Sequence, residues 1–199
     1  MVALAGVTAA VLSVIDLVPY IRDIFRGTTR PHRGTWLIWS VLGAIAFASQ
    51  FADGATWSLG LVGMQAATTT FVLALSIRFG VGGASTGDLC LIGLAGLGLV
   101  GWAISSTPVV ATMFVVAADF IGVVMMLPKT WRDPWSETAP TYVLASAAGV
   151  CGTVAVGELD ASLLLYPVYY AVGSGAIAAV ILHRRRAMQP AHAETGAGG

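Results

Sequence analysis

Two aspartates stand where charge is costly. Asp16 lies inside the first long apolar stretch and Asp119 inside the fifth, and neither stretch carries a Lys or Arg to pair with it. A carboxylate at the centre of a membrane helix costs about 2.5–3.5 kcal/mol on insertion scales. Such a group belongs in a bundle interior, where it is suited to exchange protons or bind a cation. The structural alternative is that each aspartate caps a broken helix or bonds to Ser or Thr of a neighbour. Gln65 is the one amide deep in a span, followed a turn later by Thr68, Thr69 and Thr70. Tyr169 and Tyr170 lie at a comparable depth in the seventh stretch. Gln65 with this tyrosine pair makes a mixed polar and aromatic pocket for a solute, unless the amide only ties two helices together. Pro19, three residues past Asp16, and Pro167, among Tyr166, Tyr169 and Tyr170, are bend points that serve either as hinges or as static kinks.

Other chemistries lack their residues. Cys90 and Cys151 sit in different apolar stretches with no metal-ligand spacing, and they read as small core residues. His32, His183 and His192 form no cluster, so no metal or cofactor is expected. Neither a phosphate-binding glycine loop nor a nucleophile elbow is present, which argues against an enzyme and against nucleic acid as a partner. A retinal protein needs a lysine in its last helix, and the single lysine, Lys129, is in a loop.

The elements that position these residues are membrane helices. Of the 199 residues, 57% are hydrophobic and 10% charged, where a soluble domain has about 25% charged. Mean hydropathy is +0.83. The solvent for this surface must be largely lipid. Seven apolar spans run over 2–21, 35–52, 55–78, 89–105, 108–128, 140–157 and 161–183. Most approach the ~20 residues that cross ~30 Å of hydrocarbon as a helix. The first span has no basic leader, which favours a retained helix over a signal peptide. With the N-terminus outside, all ten Lys and Arg fall in cytoplasmic loops or the C-terminal segment, and the outer loops carry Asp53, Glu158 and Asp160. The expectation is a multi-pass protein of the cell (inner) membrane with a cytoplasmic C-terminus. The excess of Arg over Lys, nine to one, with abundant Ala and Gly, points to a GC-rich bacterial genome. Trp36, Trp39, Trp131 and Trp135 near the inner boundary, and Trp57 near the outer one, read as belt anchors.

The chain also repeats. A shift of 103 residues places Asp16 on Asp119, Pro31 on Pro134, Thr35 on Thr138 and Trp39 on Tyr142. Pro19 falls on Gly122, a second weak point in a helix. Duplication of three helices, with the fourth span turning the chain over, gives two parallel three-helix repeats joined by a linker helix, a three-one-three layout. The first repeat covers 1–80, the glycine-rich linker 88–105 and the second repeat 107–186. Residues 187–199 form a polar tail expected to be disordered. Gly93, Gly96, Gly98 and Gly101 in the linker, and Ala171, Gly175 and Ala179 in the seventh span, read as packing positions.

This layout, with an outside N-terminus and a proline near the inner end of span one followed by a polar loop, resembles the PQ-loop superfamily of SWEET-like transporters over residues 1–186. The family's Pro-Gln pair stands here as Pro19-Tyr20, and as Gly122-Val123 in the second copy. The resemblance implies alternating access of two triple-helix units around a midplane site, with Asp16 and Asp119 placed like the proton-coupling aspartates of some members. The family's sugar-binding asparagines have no match.

The expected function is therefore a secondary transporter or facilitator for a small polar metabolite, coupled to protons through the membrane aspartates. The alternative is a membrane receptor or scaffold that binds a peptide or lipid and transports nothing. The partners are the bilayer, the solute and protons, with room for a homo-oligomer.

Overall fold

The computed structural model describes the backbone of residues 1–52, 57–105, 108–157, 159 and 161–188, and their side chains except those of 46–52, 57–65, 108–109, 111–112 and 161–163. Gln50, Trp57 and Gln65 thus have side chains outside the described residues. Regular structure among the described residues is helical: α1 (Val2–Ile15), α2 (Leu17–Phe25), α3 (Arg33–Ala52), α4 (Trp57–Phe79), α5 (Thr86–Ile104), α6 (Pro108–Arg132), α7 (Ala139–Val156) and α8 (Ala161–Met188).

α1 and α2 form the bent first span. The ladder stops at Asp16, although its backbone stays in the right-handed helical region at φ −59°, ψ −31°. Pro19 is the cause. Its ring nitrogen cannot donate to the carbonyl four residues back, that of Ile15. Pro167 acts otherwise: α8 runs through it without interruption, so the expected break in the seventh span is absent. One missing donor is tolerated where the neighbouring ladder bonds hold, and Pro167 packs against α7 at Gly152.

The linker helix α5 starts on a capping box. Ser85 accepts from the Asp88 amide, while Asp88 accepts from the amides of Ser85 and Gly83. Two of its four glycines, Gly98 and Gly101, face α6 at Ala118 and Phe114, and Gly93 and Gly96 meet nothing. Small residues of α8 meet α7 as expected: Ala171 lies against Gly149, and Ser146 Oγ donates to the Ala171 carbonyl at 2.8 Å.

Polarity runs inside out. Large apolar side chains point outward, among them Leu4, Leu89, Leu97 and Val172, at 59–72% exposure. Buried polar residues include Asp16, Thr35, Thr130, Glu137 and Thr141. Among the described residues, five stretches are long and apolar enough to cross a membrane: Val2–Phe25, Thr86–Ile104, Met113–Arg132, Ala139–Val156 and Leu164–Met188. An all-helical chain that faces outward with Leu and Val and inward with Thr and Asp fits lipid as its solvent.

One end of the bundle is knitted together by loops. The Arg30 amide donates to the Ser136 carbonyl, Val81 to Pro31, and Arg33 to Val81. Lys129 reaches the carbonyl of Arg30 and the carboxylate of Glu137, whose side chain is fully buried. Arg185 donates to the carbonyls of Pro134 and Glu137. The basic residues cluster at this end, and Trp131 and Trp135 sit half-exposed there beneath Arg184 and Arg185.

The tightest helix contact tests this packing. A Cβ on Gly149 would stand 2.5 Å from the Ala171 backbone nitrogen. Gly149→Ala should destabilise the detergent-solubilised protein by about 1–3 kcal/mol. Gly93→Ala, at an open position, should not. Equal thermal unfolding of the two variants would contradict the α7–α8 contact.

Candidate functional site

Six spans, the bent α1–α2 counted as one, converge on a cavity of about 340 Å³. Each contributes one stripe. α8 presents Tyr166, Tyr169, Tyr170, Gly173, Ser174 and Ile177, a run at i, i+3, i+4, i+7, i+8 and i+11 that marks one helical face. α6 presents Val115, Asp119 and Val123, four residues apart. α3 gives Trp36, Trp39, Leu42 and Gly43, and α7 gives Thr141, Tyr142 and Ala145. Ser13, Asp16 and Leu17 come from the α1–α2 break, and Thr69 from α4.

Asp16, Asp119, Tyr169 and Tyr170 all line this cavity, while the Gln65 side chain lies outside the described residues. The Tyr169 hydroxyl donates to Asp119 Oδ2 at 2.6 Å, and the Tyr170 hydroxyl donates to Asp16 Oδ2 at 3.3 Å. Tyr166 stacks on Tyr170, with ring centroids 6.1 Å apart and planes 14° apart. Adjacent residues of α8 therefore hold the two carboxylates. Asp16 is 4% exposed. Its side chain makes no cap bond of proper geometry to α2. The Leu17 amide lies close to the carboxylate, yet Oδ1 has no hydrogen-bond partner of proper geometry. Trp39 Nε1 and Thr141 Oγ1, also buried, lack partners too. Among the described residues, the lining carries two carboxylates and no Lys, Arg or His.

Aromatic side chains close the cavity toward the knitted end. Trp36 Nε1 donates to the Tyr20 hydroxyl at 3.1 Å, and the two rings lie 5.1 Å apart. Tyr142 meets Tyr20 edge-on at 6.4 Å and donates to Glu137 Oε2 at 3.0 Å. Trp36 meets Trp39 edge-on at 5.2 Å. Below this floor, Thr35 Oγ1 donates to the Gly122 carbonyl at 2.7 Å, and Thr138 Oγ1 donates to Asp23 Oδ2 at 3.1 Å.

Two readings need correction. Trp36 is 3% exposed and both it and Trp39 line the cavity, so they are not belt anchors. A tryptophan near a span end serves either face of its helix, and its position along the span does not say which. Gly122 stands inside an unbroken α6, its carbonyl engaged by Thr35 and its Cα against the Trp39 indole. Tyr142, Thr141 and Ser174 were missed. The register that puts Trp39 on Tyr142 was the signal for the first of them.

His32 joins the loops outside the cavity. The Thr35 amide donates to its Nδ1 at 3.3 Å, as a backbone N–H does to a helix-capping side chain, and its Nε2 lies 3.7 Å from Asp88 Oδ1. Because Nδ1 accepts, the neutral ring carries its proton on Nε2, toward Asp88. A Cβ on Gly82, at φ 69°, would collide with this ring.

Among protein-family models, curated proteins and solved structures, none matches this chain.

Burial pushes the His32 imidazole below its ordinary value, Asp88 opposes this, and Lys129 and Arg33 add to the lowering. The folded value lies under the unfolded one of about 6.5. Between the two, the unfolded chain binds more protons, so stability rises with pH through that window. Thermal unfolding in detergent should therefore show stability held above about pH 6.5 and lost as pH falls below it. His32→Asn should flatten that slope, and an unchanged slope would assign it to other groups.

Proposed function

We propose that this chain is a small membrane transporter or facilitator that carries a small polar metabolite by alternating access. Asp16 and Asp119 exchange protons or cations at its central site, and Tyr169 and Tyr170 contact the solute. The observation that carries the reading is the cavity itself. It is lined from both halves of the chain, holds two matched carboxylates, and is floored by packed aromatic rings at one end. A cavity with charge at its centre and a dry floor suits one-sided access to a midplane site.

Helix packing supports the two parallel repeats. Under the 103-residue shift the first span maps to α6, α3 to α7 and α4 to α8. The contact of α3 with α4 then has its mate in α7 with α8, and that of the first span with α4 has its mate in α6 with α8. Across the repeats, α1 with α7 mates with α6 with α3. The equivalent residues Thr35 and Thr138 each bond to the first helix of the other repeat. α5 packs outside this set, against α6 and α3, as a linker would. These relations agree with the distant likeness to PQ-loop transporters. In this reading the interrupted ladder at Pro19 is a hinge.

The basic, knitted end faces the cytoplasm of the cell, following the positive-inside rule. The floor then closes the cytoplasmic side, which makes this an outward-facing arrangement.

Proteoliposomes test the proposal. A pH gradient is imposed, pooled metabolites are added, and internal pH is recorded for wild type and an Asp16→Asn, Asp119→Asn double variant. The expected result is solute-dependent proton movement in wild type and none in the variant. Solute flux without proton movement would make the protein a facilitator with structural aspartates. Absence of flux with every pool, while ligands still shift the melting temperature, would favour a non-transporting receptor.

A further inference from the structure

The unpaired atoms of the cavity say what kind of solute it takes, and this inference rests on reading the cavity as the binding site. Among the described buried side chains, four polar atoms lack a partner, and three of them belong to residues that line the cavity: Asp16 Oδ1, Trp39 Nε1 and Thr141 Oγ1. A buried polar atom without a partner costs free energy that a ligand can return. Tyr170 already occupies Asp16 Oδ2 and Tyr169 occupies Asp119 Oδ2, so the open acceptor on Asp16 is fixed in place.

Charge narrows the ligand. Among the described lining residues, the two carboxylates face no Lys, Arg or His. An anion would enter a site of its own sign, and the carboxylate of a zwitterionic amino acid would find no cation. A neutral polyol would leave the carboxylates uncompensated. A cation meets a carboxylate and six ring faces and edges, those of Trp36, Trp39, Tyr142, Tyr166, Tyr169 and Tyr170. Aromatic faces attract cations, and the attraction grows on desolvation. The open Asp16 oxygen calls for an N–H donor, which excludes a quaternary head. Trp39 Nε1 can only donate, so it calls for an acceptor elsewhere on the solute.

We propose that the cavity binds a protonated primary or secondary amine on an aromatic or apolar body, with one hydrogen-bonding oxygen and no acidic group. The ammonium donates to Asp16 Oδ1 among the tyrosine rings, and the oxygen accepts from Trp39 Nε1. The same carboxylates then take either the amine or protons, so the amine and protons compete, and coupling takes the form of exchange.

Three probes of one shape separate the possibilities: tyramine, tyrosine, which adds a carboxylate, and tyrosol, which replaces the ammonium by a hydroxyl. Binding to the full chain in detergent near neutral pH is read by tryptophan fluorescence. Tyramine should bind saturably, release protons into weak buffer, and bind more weakly as pH falls. Tyrosine and tyrosol should bind at least about tenfold more weakly, the scale of one lost charge-assisted bond. Asp16→Asn should weaken tyramine by at least about tenfold, and Trp39→Phe, which keeps the ring and removes the N–H, by several-fold. Equal binding of tyrosol or tyrosine overturns the proposal, as does no tyramine binding up to about 10 mM. Flux of neutral or zwitterionic solutes in proteoliposomes without tyramine binding would leave the transport reading standing and sink this one. Tyramine binding without any flux would do the reverse.

Discussion

A carboxylate surrounded by helices in lipid has few stable arrangements, and the architecture follows from accommodating two of them. Asp16 has no cation in its apolar stretch, 2–21, and no capping bond to spend its oxygens on. It is held by a tyrosine from the last helix, and so is Asp119. To bring both within reach of adjacent tyrosines, α8 packs on α6 and α7, and the Tyr170 side chain reaches from it to the first span. That requirement fixes which helices meet at the centre. The outward-facing Leu and Val and the inward-facing Thr and Ser follow from the same solvent.

The two ends of the central space differ in kind. Toward the knitted loops, the rings of Tyr20, Trp36 and Tyr142 pack with Ile24, Met126, Ile177 and Ile181, all but buried. Beneath them the only lysine sits against a fully buried glutamate. An ion pair of this kind is weak evidence for stability, because desolvation offsets much of the attraction, but removing one member leaves a buried charge alone. Its better-grounded role is to fix one register between the loop after α6 and the loop after α2. The hydroxyl of Tyr142 ties that pair to the floor itself.

Much of this was legible in the sequence. Apolar runs placed the helices closely: 140–157 became Ala139–Val156, and 35–52 became Arg33–Ala52. The aspartates were conspicuous because charge in such runs is rare. What the sequence hid was facing. Tyr169 and Tyr170 were legible as deep polar groups, but their assignment to a carboxylate each depends on how α8 is rotated. Trp36 and Trp39 were misread because depth along a span was visible and direction around it was not. The stripe of Tyr166, Tyr169, Tyr170 and Gly173 did carry that direction, since its spacing is that of one helical face. Pro19 and Pro167 read alike in sequence, yet only the first interrupts its helix.

The scarcity of lysine has a practical side. Apart from the α-amino group, Lys129 is the sole primary amine of the chain. It is 14% exposed and enclosed by Glu137 and the carbonyls of Arg30 and Ser136. An amine-selective reagent thus has one side-chain target, and that target is the clasp between two loops. The rate of acylation at this single nitrogen becomes a clock for how often the loops part, in the native sequence and without an introduced label.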